Sequence, residues 1–155
     1  RHSMKQLTLL FLLKDDEVLL AMKKRGFGAG RWNGVGGKLD EGETLEEALV
    51  RECQEEIGVT PVTYEKAADI VFHEFDEDKE ADMAVVVYTC HEWEGEPTES
   101  EEMAPQWFKI DGLPFDTMWP DDQYWLPQVL AGNKLVAEFT LDKNDTITAY
   151  DVRLV

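Results

Sequence analysis

Six glycines, at positions 26, 28, 30, 34, 36 and 37, lead directly into a helix whose two ends are both written in the sequence. A regular helix does not tolerate that glycine density, whereas a backbone that must lie close to another segment or to a ligand requires it. Lys24–Lys38 is therefore expected as loop with little regular structure. Thr44 and Glu47 then form the T-x-x-E pattern of a capping box, which satisfies N–H groups that the first turn leaves without partners. Ala48, Leu49 and Cys53 supply an apolar stripe, and Gly58 with Pro61 ends the segment, so the spacing predicts a helix over Thr44–Ile57. Such a helix buries its stripe only against another element.

The rest of the chain supplies strands for that purpose. Leu7–Leu13 and Val18–Met22 read as strands around the turn at 14–17, and Ala67–Phe75 and Met83–Trp93 as strands joined by an acidic turn. Gln106–Ile110, Lys134–Leu141 and Thr146–Leu154 complete the set. A second helix starts at Asp121 or Asp122 and runs to Gly132, with Pro127 weakening its early turns. No repeat or linker divides the chain, so one α+β domain over residues 4–155 is expected, with Arg1-His2-Ser3 read as a tag remnant ahead of Met4.

Fifteen basic residues against 33 acidic ones give a net charge of −18. That field repels nucleic-acid polymers, and a phosphate-bearing small molecule can still bind when a divalent cation sits between it and the acidic groups. No apolar run approaches the roughly 20 residues of a membrane span. Cys53 and Cys90 form no CxxC pair or disulfide framework and read as small buried hydrophobes. A reducing compartment follows, with the cytoplasm expected and the nucleus or mitochondrion as further locations.

The predicted helix carries Arg51, Glu52, Glu55 and Glu56. At 3.6 residues per turn Glu52 lies above Glu55 and Glu56, and like charges so placed cost about 0.2–0.5 kcal/mol per pair. A solvated face paired with Arg51 and nearby lysines is the plain reading of such a triplet. A divalent cation is the sharper one, because Mg²⁺ takes carboxylate oxygens, keeps waters and bridges to phosphates.

The surroundings of the triplet decide between these readings. From Gly37 the chain runs through five residues to Glu43, seven more to Arg51-Glu52, then Cys53, Gln54, Glu55-Glu56, Ile57, Gly58 and Val59. This 23-residue stretch resembles the Nudix hydrolase box, G-x5-E-x7-R-E-U-x-E-E-x-G-U, where U is a bulky apolar residue, and departs from it only in the small Cys53. The resemblance implies a mixed β-sheet sandwiched between helices and a divalent metal, Mg²⁺ or alternatively Mn²⁺. It implies Gly37, Glu52, Glu55 and Glu56 around that metal, with Arg51 holding Glu43 or Glu55 in register. The reaction implied is attack of an activated water on a phosphorus atom of a nucleotide. Glu56 is the first candidate for the base, and Glu102, which is also a candidate ligand, is the second.

Two flanking segments narrow the resemblance. Met22–Gly34 and Met118–Trp125 are similar to the oxidised purine nucleoside triphosphatase (8-oxo-dGTPase) branch of the family, and the likeness runs from Thr8 to Val155. That branch implies a monomer that acts on 8-oxo-dGTP and 2-hydroxy-dATP and releases monophosphate and pyrophosphate. Methylated purine triphosphates, ADP-ribose or dinucleotides, and a non-catalytic binding module are the competing readings.

A purine pocket can also be read from the residues themselves. Trp119 and Phe27 offer stacking surfaces, worth roughly 1–3 kcal/mol per base. Asn33 has a donor and an acceptor for a base edge, or is a turn residue before Gly34. Asp121 and Asp122, aimed into one pocket, cannot both ionise cheaply, so one carboxyl would donate while the other accepts; alternatively one of them caps the helix. Thr8 and Lys23 complete the candidate substrate contacts. His73 and His91 lack metal-ligand spacing and read as surface or sheet residues.

Overall fold

The structure is a computed structural model that describes residues 3–73 and 81–155. Strands β1 (Ser3–Lys14), β2 (Glu17–Lys23), β3 (Trp32–Asn33) and β4 (Val35–Lys38) precede helix α1 (Leu45–Ile57). Strands β5 (Thr60–His73), β6 (Ala81–Glu94) and β7 (Met103–Lys109) lead through two 3₁₀ turns to helix α2 (Asp122–Leu130), and β8 (Leu135–Leu141) and β9 (Ile147–Leu154) follow.

One mixed sheet runs β3-β2-β1-β6-β5-β8-β9, with β4 added to β1 and β7 to β2. Strand β1 is parallel to β6 from Ser3↔Ala81 to Leu12↔Cys90. Its other edge is divided: Leu7–Leu10 pair with β4, and Leu13–Lys14 with β2. A cavity is lined by residues of all the strands at this fork.

Because side chains alternate across a strand, β1 feeds two cores. Leu10 and Leu12 pack with Leu49, Cys53 and Ile57 of α1, and Phe11 and Leu13 with Trp125, Leu126 and Val129 of α2. Each such fully buried side chain contributes about 1.5–3 kcal/mol. The sheet is thus sandwiched between helices, the expected α+β arrangement. Both cysteines are free and buried, and burial pushes the Cys53 thiol up to about 12.

Helix α1 is capped as its sequence predicts. Thr44 and Glu47 form both capping-box bonds, and Gly58 closes the helix in the left-handed conformation at φ 70°. Three expectations need correction. Lys24–Lys38 is not plain loop, since it contains β3 and β4. The glycines serve close strand packing there: a Cβ on Gly36 would meet the Thr8 carbonyl oxygen at 2.0 Å, and one on Gly34 the Leu10 oxygen at 2.7 Å. Strand β5 starts at Thr60 rather than Ala67, because Pro61 sits opposite Trp93 beside a register shift where no ladder N–H is needed. Strand β7 likewise starts at Met103, with Pro105 opposite Ala21. The end of the predicted Ala67–Phe75 strand and the acidic turn after it lie outside the described residues.

Candidate active site

Helix α1 turns Glu52 and Glu56 toward the Gly36-Gly37 backbone, and Glu55 and Glu102 line the same cleft. Glu56 accepts the Gly36 N–H at 3.1 Å, which fixes its carboxyl beside β4. Burial, with the Glu52 charge added, pushes Glu56 up to about 8. Burial also carries Glu52 up to about 7, against the pull of Arg51. Gly37 has no side chain for a local reason: a Cβ there would meet Glu52 Oε2 at 1.7 Å.

Arg51 organises this cleft. Its Nε and Nη2 donate to the two oxygens of Glu43 at 2.6 and 3.0 Å, its Nη1 to Glu55 at 3.1 Å and Glu52 at 3.3 Å, and Nη2 also to the Lys38 carbonyl at 3.2 Å. The sequence left Glu43 or Glu55 as its partner, and the guanidinium holds both. Glu102 enters from the residue before β7, where Arg25 donates to it at 2.8 and 3.2 Å. Those bonds hold the Glu102 carboxyl below the usual carboxylate range.

Glu56, Glu52 and the glycine backbone make a hard-oxygen donor set suited to a divalent cation. Two carboxyls are pushed up by burial there, and a cation would restore their ionised form. Among the described residues no three His, Cys, Asp or Glu side chains have the spacing of a closed metal site. Mg²⁺ does not require one, since it keeps several waters and takes one or two protein carboxylates.

The second part of the site is the cavity at the strand fork. Thr8, Lys23, Phe27, Asn33, Trp119, Asp121 and Asp122, the seven expected substrate contacts, all line it. Lys23, Phe27, Gly36 and Gly37 also line the carboxylate cleft, so the two spaces are continuous. Phe27 and Trp119 lie tilted at 32° with centroids 5.2 Å apart. Phe27 is 61% exposed, so much of its ring remains for a ligand to cover. Asn33 accepts the Gly34 N–H through Oδ1 at 2.8 Å, leaving its amide nitrogen as the donor.

The aspartate pair sits at the floor of this cavity. Asp121 and Asp122 are 2% and 3% exposed. Neither side chain caps α2; Asp121 instead accepts the Trp125 indole N–H at 2.8 Å. Burial raises both carboxyls, Asp122 well above the ordinary aspartate value because the Asp121 charge adds to the effect. Asp122 Oδ2 and Thr8 Oγ1 are buried without a hydrogen-bond partner among the described residues. Buried polar atoms seldom remain so, and two of them facing one cavity point to a polar ligand there.

A family model described as the NUDIX domain matches residues 4–129. The chain belongs to the Nudix family. It is 49% identical over 148 residues to an oxidized purine nucleoside triphosphate hydrolase of Mus musculus, covering 96% of this chain and 94% of that protein. A protein of the same description from Danio rerio is 47% identical, with 94% and 92% covered. Among solved structures, the MutT protein from Bacillus halodurans superposes with a TM-score of 0.83 at 28% identity, covering 96% of this chain and 97% of its own.

Within this Nudix domain, sequence reasoning missed several pocket residues. Phe72 and Met83 are brought opposite one another by the β5–β6 register, which no local signal announces. Arg31 lies inside the glycine-rich motif but carries no mark of its role. Trp125 reads as an ordinary core residue of α2 and is one, but it also lines the pocket. His73 lies at the end of β5 between Asp82 and Glu138, at 3.0 Å from each, and lines neither the cavity nor the carboxylate cleft. Among the described residues no helix is long and apolar enough to cross a membrane.

Proposed function

We propose that the chain hydrolyses oxidised purine nucleoside triphosphates, such as 8-oxo-dGTP and 2-hydroxy-dATP, to monophosphate and pyrophosphate, and so cleans the nucleotide pool. The observation that carries this reading is the buried Asp121–Asp122 pair beside Phe27 and Trp119, in a cavity that opens through Lys23 onto the box carboxylates. The identity to the mouse and zebrafish hydrolases over nearly the whole chain supports it.

Each part then has a chemical task. The purine stacks against the aromatic pair. One of the two aspartates stays protonated and donates, its ionised partner accepts, and the Asn33 amide donates, so the base edge is read by complementary groups. Lys23 leads the phosphate chain toward the cleft. One or two carboxylates at a time from Glu52, Glu55 and Glu56, with the Gly37 backbone and with Glu102 as a further candidate, would hold Mg²⁺ or Mn²⁺, which would supply charge neutralisation and a more acidic attacking water. Arg51 keeps Glu52 and Glu55 in register. Glu56, fixed by the Gly36 N–H, takes the proton of the water, with Glu102 the second candidate. A new P–O bond forms as the bridging P–O bond breaks, and pyrophosphate and the nucleoside monophosphate separate.

The test is incubation with 8-oxo-dGTP or 2-hydroxy-dATP and Mg²⁺ or Mn²⁺, with products resolved by anion exchange. Monophosphate and pyrophosphate in equal amounts are expected. Stepwise release of orthophosphate, or no turnover with either cation, contradicts the proposal. Glu56→Gln and Glu102→Gln, compared over a range of metal concentration, separate the base from a ligand: excess metal restores a weakened ligand site but not a missing base.

A further inference from the structure

Arg31 belongs to the glycine-rich loop, but its side chain is only 31% exposed and turns inward across the fold. The guanidinium carbon lies over the Trp119 ring, 4.3 Å from its centroid, well within cation–π range. Nη1 donates to the Met118 carbonyl at 2.9 Å, and Nη2 to Asp145 Oδ2 at 3.3 Å in the turn between β8 and β9. Its backbone closes the loop as well: the N–H donates to Gly28 and the carbonyl accepts from Lys23. One residue therefore joins the loop carrying Phe27, the segment carrying Trp119, Asp121 and Asp122, and a hairpin that lies beyond the matched residues 4–129.

We propose that Arg31 is a specificity-determining positioning residue, tying the β8–β9 turn to Trp119 and the Met118 backbone so that the base pocket keeps the geometry that selects an oxidised purine. The inference rests on the function proposed above. Its physical basis is the different tolerance of the two kinds of base contact. Stacking on an aromatic face survives a slip of the ring. Hydrogen bonds to the edge atoms that distinguish an oxidised from an ordinary purine fail within a few tenths of an ångström beyond 2.7–3.2 Å. The guanidinium lies over the indole and so helps to fix the plane of the Trp119 ring. Its grip on the Met118 carbonyl fixes the backbone just ahead of the two aspartates. Arg31 also draws both buried carboxyls downward against the effect of burial, which favours keeping one of them ionised. A lysine cannot stack as a plane and bond a carbonyl and a carboxylate together, so the role needs arginine.

The test is calorimetric binding of 8-oxo-dGMP and dGMP, without metal, to the wild type and to Arg31→Met, Arg31→Lys and Asp145→Asn. Asparagine suits Asp145, whose backbone is left-handed at φ 63°. Arg31→Met is expected to weaken 8-oxo-dGMP binding about 10-fold, equivalent to about 1.4 kcal/mol, and dGMP binding much less, so that the ratio of the two contracts. Arg31→Lys should fall between it and the wild type, and Asp145→Asn should contract the ratio a few-fold with little change in Tm. If Arg31→Met does not fold, the other two variants carry the same comparison. An unchanged ratio in the folded variants overturns the inference while leaving the proposed function standing. A wild type that neither distinguishes the two monophosphates nor cleaves 8-oxo-dGTP overturns the proposed function itself.

Discussion

Two adjacent glycines should fail in different ways when each is replaced by alanine. At Gly37 the added Cβ would meet Glu52 Oε2 at 1.7 Å and its Cδ at 2.8 Å. Both atoms belong to the far end of a flexible side chain, so the carboxylate retreats by more than about 1 Å while the backbone stays. Stability should fall by only about 1 kcal/mol, or a Tm shift of about 2–4 °C. Catalysis should suffer far more, since a 1 Å misplacement of a reacting or ligating group costs about 100-fold. At Gly36 the added Cβ would meet the Thr8 carbonyl oxygen at 2.0 Å and Leu9 Cα at 3.0 Å, both fixed parts of β1. Strand β4 must then leave its pairing with β1, at a cost of about 3 kcal/mol and a Tm drop of about 6–12 °C. Scanning calorimetry and initial rates of pyrophosphate release on the same preparations give the comparison. Gly37→Ala with wild-type kcat/KM, or with a Tm loss equal to that of Gly36→Ala, would refute the placement of Glu52 against β4.

Other perturbations follow from the same geometry. Arg51→Lys cannot serve both Glu43 oxygens, the Lys38 carbonyl and Glu55 together, so kcat/KM should drop about 10-fold or more; an unchanged rate would show that the fork is dispensable. Asp122 has its folded-state pKa raised by burial and by Asp121, so the folded state binds more protons and stability is lost as pH rises above about 4. Asp122→Asn should therefore raise the Tm of the ligand-free protein by about 2–4 °C at pH 8, with the gain shrinking toward pH 4; a gain independent of pH contradicts this. His73 has its pKa raised because its ring N–H groups donate to Glu138 and, with a smaller effect, to Asp82, so its contribution is full below about 6.5 and fades as pH passes the folded value. An NMR titration midpoint below 6.5, or a His73→Gln variant whose Tm loss is greater at pH 9 than at pH 6, would be inconsistent with that clamp.

Helix α1 was legible in the sequence because its signals are local: Thr44, Glu47 and Gly58 act within one turn of the bonds they make. The carboxylate cleft was legible for the same reason, since Arg51, Glu52, Glu55 and Glu56 are spaced by the helix itself. Strands β3 and β4 were not. Glycine reads as loop from its backbone freedom, whereas here it answers to the closeness of Thr8 and Leu10 on a strand more than 20 residues away. Pro61 misled in the same direction, since a register shift beside it, opposite Trp93 on a strand distant in sequence, accommodates it. In the cavity at the strand fork, six of the seven expected residues come from the two flanking motifs and the seventh, Thr8, from β1. Phe72, Met83 and Arg31 were missed because strand register and a reach of 87 residues, from Arg31 to Met118, place them there. Local chemistry is written locally, and the walls that complete it are assembled by topology.

The most direct measurement of the central claim is kcat/KM across 8-oxo-dGTP, 2-hydroxy-dATP, dGTP, O6-methyl-dGTP, N6-methyl-dATP and ADP-ribose under one set of conditions with Mg²⁺. The account predicts that the oxidised purines lead dGTP by at least about 10-fold, the contribution of one well-made edge contact of about 1.4 kcal/mol. It also predicts that each cleaved triphosphate yields monophosphate and pyrophosphate. ADP-ribose as the preferred substrate, or dGTP cleaved as fast as 8-oxo-dGTP, would contradict it.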